Sequence, residues 1–511
     1  MRTGATSTNR VEFWDCSNMS APSVHTSGCL CFPCRCFSLE FPKQNCSKNY
    51  TATFVLFIGT LLSLLVCVTA NLEHVRSEYQ FTTQSEFQSY LNFTEKEMTL
   101  DLPIITWWTK GPVPHAEKIS YIKCPNSQCY VTTLRKFVED PRARGFIFYG
   151  TDFSPGDVPL PRKRHHEWAL LHEESPMNNY VLSHGAAIGM FNHTSTFRRE
   201  SDYPLSSQYI FSLDYLISRP VVPIKLKNQI KMQMKLAPVL YVQSHCNVPS
   251  DRDTYVKELM RHIEIDSYGS CLHNKDLPES LSDPVESMFK EEFLNFMANY
   301  KFQITFENAI CKDYMTEKLF RAMHVGSVPI YKGSPSIKDW VPTEKSVIVA
   351  DDFSTPEKLA EFIKHLDKND AEYMKYLSYK TVENITNKFL LKHLSQRQWD
   401  DASDFITGFE CHVCDNVFKR QQIEKAHAKD NTVELLPPKI ARMNHLGCPQ
   451  PHPSLPDTEK ESEEMQDWIS LYWSDFDQAL GLREMILQNE TDSKKFSGYW
   501  EKALKKSSRR T

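Results

Sequence analysis

The chain carries no large excess of charge of either sign: 59 Lys and Arg stand against 64 Asp and Glu, a formal balance of −5. Nothing in that balance suggests the basic surface that nucleic-acid binding requires. Internal repeats and long low-complexity tracts are also missing, which argues against a solenoid array or a disordered scaffold. Long apolar runs are scarce too, and only one exists. Between Lys48 and Glu73 no residue is charged, and residues 50–70 (YTATFVLFIGTLLSLLVCVTA) supply about the twenty residues that a helix needs to cross a bilayer. Arg35, Lys43 and Lys48 precede this run, opposed by Glu40, whereas Glu73, Arg76 and Glu78 follow it. The positive-inside rule therefore predicts a cytoplasmic N-terminus and a type II membrane protein. The rival is a cleaved signal peptide ending at Val68-Thr69-Ala70, against which the long leader and long apolar run both count.

What is present is length and apolar content. At 511 residues and 41% hydrophobic composition the chain can bury more than one core. The expected organisation is a cytoplasmic leader (1–49), a transmembrane signal-anchor (50–70), a polar stem (71–100), two α/β halves (101–235 and 236–404) and a tail (405–511). In the leader, Cys29, Cys31, Cys34 and Cys36 lack the second ligand pair of a zinc knuckle. Palmitoylation is one alternative, and an unstructured, reduced leader is the preferred reading. Eight of the 15 cysteines follow the span, an even set compatible with disulfides in an oxidising lumen. Cys124 and Cys129 come early and Cys411 and Cys414 form a late C-x-x-C, while partners for Cys246, Cys271, Cys311 and Cys448 stay open. Asn92, Asn192, Asn384 and Asn489 open glycosylation tripeptides.

Strand-like segments begin at Pro103 to Trp108, Gly145 to Gly150 and Trp168 to Leu171 in the first half. In the second half, Leu236 to Val242 reads as a buried parallel strand. It is followed by a helix from Asp253 to His262 and strands at Ile263 to Asp266 and Ser346 to Ala350. Thr355-Pro356-Glu357 opens a further helix, with a capping residue before a proline. The tail reads as Pro-rich and acidic, with Trp468, Tyr472 and Trp473 on an amphipathic helix that packs on the body or meets another protein.

The most informative stretch is Phe306 to Gly333, FENAICKDYMTEKLFRAMHVGSVPIYKG. Strand, loop, helix and strand follow one another, with Gly326 closing the helix. Ligands of parallel α/β sheets sit at the carboxyl ends of strands, so Glu307, Asn308, Tyr314, Glu317 and Lys318 are expected to line one crevice. Lys318 near a helix N-terminus suits a phosphate, although singly Glu317 and Lys318 are ordinary first-turn residues. A second cluster, Trp168 to Pro176 (WALLHEESP), runs a strand into two adjacent carboxylates. A positioned carboxylate can act as a general base toward a hydroxyl, and in an extended chain Glu173 and Glu174 point opposite ways, so only one of them faces a given site. A third, Phe191 to Tyr203, sets Arg198 and Arg199 beside Phe197, with surface charges as the alternative. A fourth, Gln243 to Tyr255, ends a buried strand in small polar residues, among them Ser244, before Arg252; such groups approach and bridge a diphosphate. Asp251 and Asp253, and Asp475 and Asp477, each spell D-x-D; the first pair reads as a helix cap instead of a metal site.

These four motifs, in this order, resemble the signature of the α1,3-fucosyltransferases, glycosyltransferase family 10. Within that family they resemble the fucosyltransferase 10 and 11 branch, and number 11 more than 10. The resemblance covers roughly Pro103 to Cys414. It implies a GT-B arrangement of two doubly wound Rossmann-type domains facing across a cleft, with crosswise disulfides tying the early cysteine pair to the late pair. It implies inverting transfer of L-fucose from GDP-fucose without a bound metal or other cofactor. It selects Glu174 as the base, and it matches Arg252 to the donor-binding arginine, with Tyr314, Glu317 and Lys318 also holding the donor. Phe197 departs from the family's tyrosine, leaving only a ring face to stack. The branch implies O-fucosylation of Ser or Thr in EMI domains, small disulfide-rich modules, in the endoplasmic reticulum. The alternatives are α1,3-fucosylation of N-glycan GlcNAc in the Golgi and, from another class, a non-catalytic membrane-anchored binding protein or chaperone.

Overall fold

A computed structural model describes residues 31–32, 35–36, 91–111, 119–281, 287–399, 404–455 and 462–507. The apolar segment 50–70 lies outside the described residues; among those described, no helix is long and apolar enough to cross a membrane. The chain divides into two compact units, Met1–Gln80 and Phe81–Thr511. In the first, β1 (Cys31–Phe32) pairs antiparallel with β2 (Arg35–Cys36), a short ladder where the cysteine spacing suggested an unstructured leader.

The second unit holds two sheets. The first comprises β3 (Leu91–Phe93), β4 (Ile104–Trp107), β5 (Ile119–Lys123), β6 (Gln128–Thr132), β7 (Ala143–Tyr149), β8 (Glu167–His172) and β9 (His193–Thr196). Their order is β3-β5-β6-β4-β7-β8-β9. The strands β6, β4, β7, β8 and β9 run parallel, and β5 pairs antiparallel with both β6 and the edge strand β3. The second sheet comprises β10 (Val239–Val242), β11 (Ile265–Tyr268), β12 (Phe302–Ile304), β13 (Val328–Tyr331) and β14 (Ile348–Val349), all parallel, in the order β11-β10-β12-β13-β14. In both sheets the first parallel strand lies between the second and the third, so chain direction across the sheet reverses there: between β4 and β7, and between β10 and β12. These reversals are the topological switch points of doubly wound folds.

Parallel strands covered on both faces read as continuous apolar runs, and alternation sorts their side chains between two cores. Trp168 and Leu170 of β8 enter one buried cluster, while Ala169 and Leu171 enter another. Likewise Val239 and Tyr241 of β10 face one core and Leu240 the opposite one. Helices Arg252–Leu259, Glu291–Ala298, Glu317–His324 and Pro356–Lys368 alternate with the second set of strands. The Thr355 hydroxyl caps the last of these by accepting from the Lys358 amide, as its sequence suggested. Gly326 ends Glu317–His324 at φ +70°, and a Cβ there would lie 2.9 Å from Val221 Cγ2, so only glycine fits the turn.

The region after 404 differs from a simple tail. Asp404–Lys429 is a 26-residue helix that returns to the first sheet and completes its core with Phe409, Val413 and Val417. Its buried Glu410 accepts from Trp107 Nε1 at 2.6 Å, and Arg420 pairs with Glu167 of β8. Disulfides Cys124–Cys411 and Cys129–Cys414 staple it to β5, β6 and their turn. Cys246 pairs with Cys271, and Cys311 with Cys448. The aromatic helix is Glu463–Leu487. Its Tyr472 is buried against Tyr180 and His184, whereas Trp473 is 49% exposed.

Candidate active site

At the reversal point of the second sheet, β10 runs out into Ser244 and β12 into Glu307 and Asn308. The Glu307 carboxyl is fully buried and accepts from the Thr316 amide and hydroxyl, both at 2.8 Å. It therefore anchors the start of Glu317–His324 and does not line the crevice, as its position at a strand end had suggested. Burial pushes it up to about 7, against a lowering pull from Lys318. Lys318 Nζ lies 3.2 Å from both Thr316 Oγ1 and Glu317 Oε1 and stays partly exposed. Burial raises the Glu317 carboxyl, but Lys318 and Arg321 beside it outweigh that and leave it below the usual range. Tyr314 donates to Asn308 Oδ1 at 3.0 Å.

Across the gap, β8 delivers the carboxylate pair. Glu174 Oε2 accepts from Thr151 Oγ1 at 2.7 Å and from Asn178 Nδ2 at 2.6 Å. Glu173 Oε1 accepts from the Tyr149 hydroxyl at 3.2 Å, and its Oε2 is buried without a partner. The two carboxyls do not diverge as in an extended strand. The chain bends after β8, and the Tyr149 hydroxyl is pushed up by burial and by both carboxylates. The next residue, Ser175, lies beside the Tyr314 hydroxyl and pulls it down against the raising effect of burial, so the loop after β8 approaches the loop after β12. Tyr209 sits between them: burial first, then the charges of Glu317, Glu173, Glu307 and Glu174, raise its hydroxyl.

Several expected contacts are elsewhere. Arg252 is 1% exposed, and it donates to Phe306 O at 3.1 Å and His245 O at 2.7 Å. It ties the loops after β10 and β12 together instead of opening onto the gap, because its helix begins with that side chain turned inward. Phe197 is 2% exposed with its edge on Tyr314, ring centroids 5.1 Å apart; lacking a hydroxyl it joins the core and offers no free stacking face. Arg198 donates to Gly447 O at 2.9 Å. Arg199 pairs with buried Asp313 at 2.5 Å and with Asp339 at 2.8 Å, so neither arginine is a bare surface charge. Ser244 is exposed.

The D-x-D pairs are occupied by protein. Asp253 accepts from Tyr241 OH and the Asn247 amide. Asp251 accepts from the Ser454 amide and hydroxyl and makes no side-chain cap of its helix. Asp475 accepts from Gln478 Nε2. Among the described residues, the group with metal-ligand spacing is Cys246, Asp253 and Cys271, and its two thiols are consumed in a disulfide. Of the glycosylation positions, Asn384 and Asn489 are exposed and Asn92 falls on β3. Asn192 cannot serve: it is 5% exposed, its amide donates to Lys439 O, and its oxygen accepts from Arg162 and the Trp168 amide.

Sequence reading missed Tyr149, Thr151, Asn178 and Tyr209, which hold or surround the carboxylates. It also missed Asp313, which joins Arg199 to Trp340 Nε1 and the Ser336 hydroxyl. One rim of the gap comes from the tail: residues 448–452 line a small pocket with Pro176, Pro249, Ala309 and Ile310, held there by Cys311–Cys448.

One mixed and one parallel sheet, whose strand-end loops carry a carboxylate pair and a lysine-bearing helix N-terminus and converge around Tyr209 and Tyr314, have the make-up of a group-transfer enzyme of α/β type. Residues 101–208 match the model described as "Fucosyltransferase, N-terminal", and residues 232–432 match "Glycosyltransferase family 10 (fucosyltransferase) C-term". The chain is 44% identical over 410 residues to the GDP-fucose protein O-fucosyltransferase 3 of Gallus gallus, covering 78% of this chain and 83% of that one. It is 46% identical over 356 residues to the Rattus norvegicus protein of the same name, covering 68% and 71%. A crystal structure of an alpha1,3-fucosyltransferase with GDP-fucose shares 16% identity, covers 63% of this chain and 94% of its own, and superposes with a TM-score of 0.36. The chain belongs to glycosyltransferase family 10, the fucosyltransferases.

Proposed function

We propose that this protein is a GDP-fucose-dependent protein O-fucosyltransferase of the fucosyltransferase 10 and 11 branch, nearest to 11, with a GT-B arrangement. It inverts the sugar as it places L-fucose on Ser or Thr of EMI-type disulfide-rich domains. The observation that carries the reading is the convergence of the two loops: Ser175 lies beside the Tyr314 hydroxyl, and Tyr209 feels Glu173 and Glu174 from one side and Glu307 and Glu317 from the other. Glu174 is the base. Thr151 and Asn178 are both taken by Oε2, which leaves Oε1 to receive the acceptor proton as the acceptor oxygen bonds to fucose C1. The C1–O bond to the diphosphate breaks on the opposite face, and its electron pair leaves with GDP. Lys318 and the helix N-terminus offset that charge. Tyr314 and Glu317 position the nucleotide sugar, and Arg252 holds the loops that form the donor wall.

The names of the relatives support a protein acceptor and GDP-fucose as donor. The apolar segment 50–70 and the charge asymmetry around it support a single-pass type II protein with its catalytic part lumenal; the endoplasmic reticulum is what the branch resemblance implies, with the Golgi as the alternative. Purified full-length chain given GDP-fucose with an EMI domain, and separately with a GlcNAc-bearing glycopeptide, tests the acceptor: fucose is expected on the EMI domain. Transfer to the glycopeptide alone would make the enzyme a glycan fucosyltransferase, and transfer to neither would refute both acceptors.

A further inference from the structure

Glu173 has no role in the scheme above, yet it is built as deliberately as the base beside it. Its carbonyl accepts from Gln208 Nε2 at 3.2 Å, fixing the backbone between the two carboxylates. Its Oε1 accepts from the Tyr149 hydroxyl at 3.2 Å, its own backbone N–H also favours the charged form, and Oε2 is buried without a partner. A buried carboxylate with one oxygen left unpartnered holds its charge at a cost and prefers its neutral form. The groups facing it from the surrounding elements are Tyr149 at the end of β7, Glu174 on its own loop and Tyr209. Beyond Tyr209 stand Glu307 and Glu317 with Lys318, and behind Glu174 the buried ring of His172. Apart from Lys318, which is engaged with Glu317 and Thr316, these groups are neutral or acidic.

We propose that Glu173 and Tyr149 form a positioning pair that sets how strongly Glu174 pulls a proton from the acceptor hydroxyl. While Glu173 is neutral, Glu174 carries the only negative charge of the pair. When Glu173 ionises, a second negative charge stands next to Glu174 and makes it a stronger proton acceptor in the transition state. Burial holds the Glu173 carboxyl up at about 7 with help from the charge of Glu174, while its own backbone N–H and the Tyr149 hydroxyl pull it down. Transfer therefore speeds up as pH rises through the neutral range, and the Tyr149 hydroxyl fixes where that rise falls. The pair rests on the reading of Glu174 as base.

The test is the pH profile of kcat for fucose transfer by the full-length protein, as wild type, Glu173→Gln, Tyr149→Phe and Glu174→Gln. The wild type is expected to show an ascending limb near pH 7, roughly tenfold in height. Glu173→Gln should hold kcat at its acid-side value across the range with KM for GDP-fucose unchanged. Tyr149→Phe removes the side-chain donor to the carboxylate and should move the limb to higher pH. A wild type without the limb, a Glu173→Gln profile lowered uniformly with the limb in place, or an unmoved limb in Tyr149→Phe would each overturn the pair. Should Glu173→Gln not fold, Tyr149→Phe decides alone, since it removes one oxygen and keeps the ring. Glu174→Gln reports separately on the base: its inactivity together with an unmoved Tyr149→Phe limb would reject the pair and keep the base. Full activity of Glu174→Gln would reject the base itself.

Discussion

Replacing Glu174 by Gln is the perturbation with the sharpest expected outcome. The side chains are isosteric, so no cavity opens. The amide oxygen can take the place of Oε2, accepting from Thr151 and Asn178 at their present 2.7 and 2.6 Å. That leaves the NH2 group where a proton should be received, so geometry survives and basicity is lost. Positioned general bases are worth about 10²–10⁴-fold. Here the upper part of that range is expected, because Glu173 turns its second oxygen into the protein, partnerless and buried, and cannot stand in. A loss of about 10³–10⁴ in kcat corresponds to roughly 4–5 kcal/mol of transition-state stabilisation. The proposed donor groups Tyr314, Glu317 and Lys318 belong to the opposite loop and helix, so GDP binding by calorimetry should be unchanged while transfer of labelled fucose stops. A variant that retains kcat to within about tenfold of wild type, or one that loses GDP affinity with kcat intact, would refute the assignment.

Lys318→Ala should weaken GDP binding by about 10–150-fold, the value of one charge-assisted hydrogen bond of about 1.5–3 kcal/mol, as read by calorimetry. Asn192→Ala should leave the glycan count from intact-mass measurement unchanged. It should also destabilise the protein by about 1–3 kcal/mol, since Arg162 and the Trp168 amide lose their acceptor. Glu307 titrates in the folded protein at about 7 against an ordinary value of 4.5. Its contribution to stability is therefore complete below 4.5 and lost as pH rises through 7, on the order of 3 kcal/mol. Thermal unfolding followed across that window should slope downward, and Glu307→Gln should flatten the slope.

The strands that carry the site were legible because parallel strands buried on both faces are uninterrupted apolar runs, as at β4, β8, β10 and β13. The helix from Pro356 was legible from its cap. The direction in which a side chain turns was not. Arg252 and Glu307 occupy the positions their motifs suggested, but both are wrapped by backbone groups contributed by other loops, a tertiary fact with no local trace. Phe197 shows the same, since nothing in its neighbours signals that Tyr314 covers it. Thr151, Asn178, Tyr149 and Tyr209 are unremarkable alone and acquire meaning only when the bend after β8 gathers them. The helix Asp404–Lys429 was missed because it has no single apolar stripe: its first half is buried and carries Glu410 inside, while its later turns pair through Arg420 and Glu424 with β8 and β7.

That helix has a consequence for biogenesis. The partners of Cys124 and Cys129 lie 287 and 285 residues downstream, so a nascent chain emerging from the ribosome has to leave two early thiols waiting while nearly the whole catalytic body is translated. The sheet that bears the base is thus finished after the sheet that bears the donor loop, although it is encoded first. Shortened transcripts that stop ahead of residue 404 would yield neither a separable acceptor module nor a partial enzyme, but an open β-layer with unpaired cysteines, a substrate for quality control.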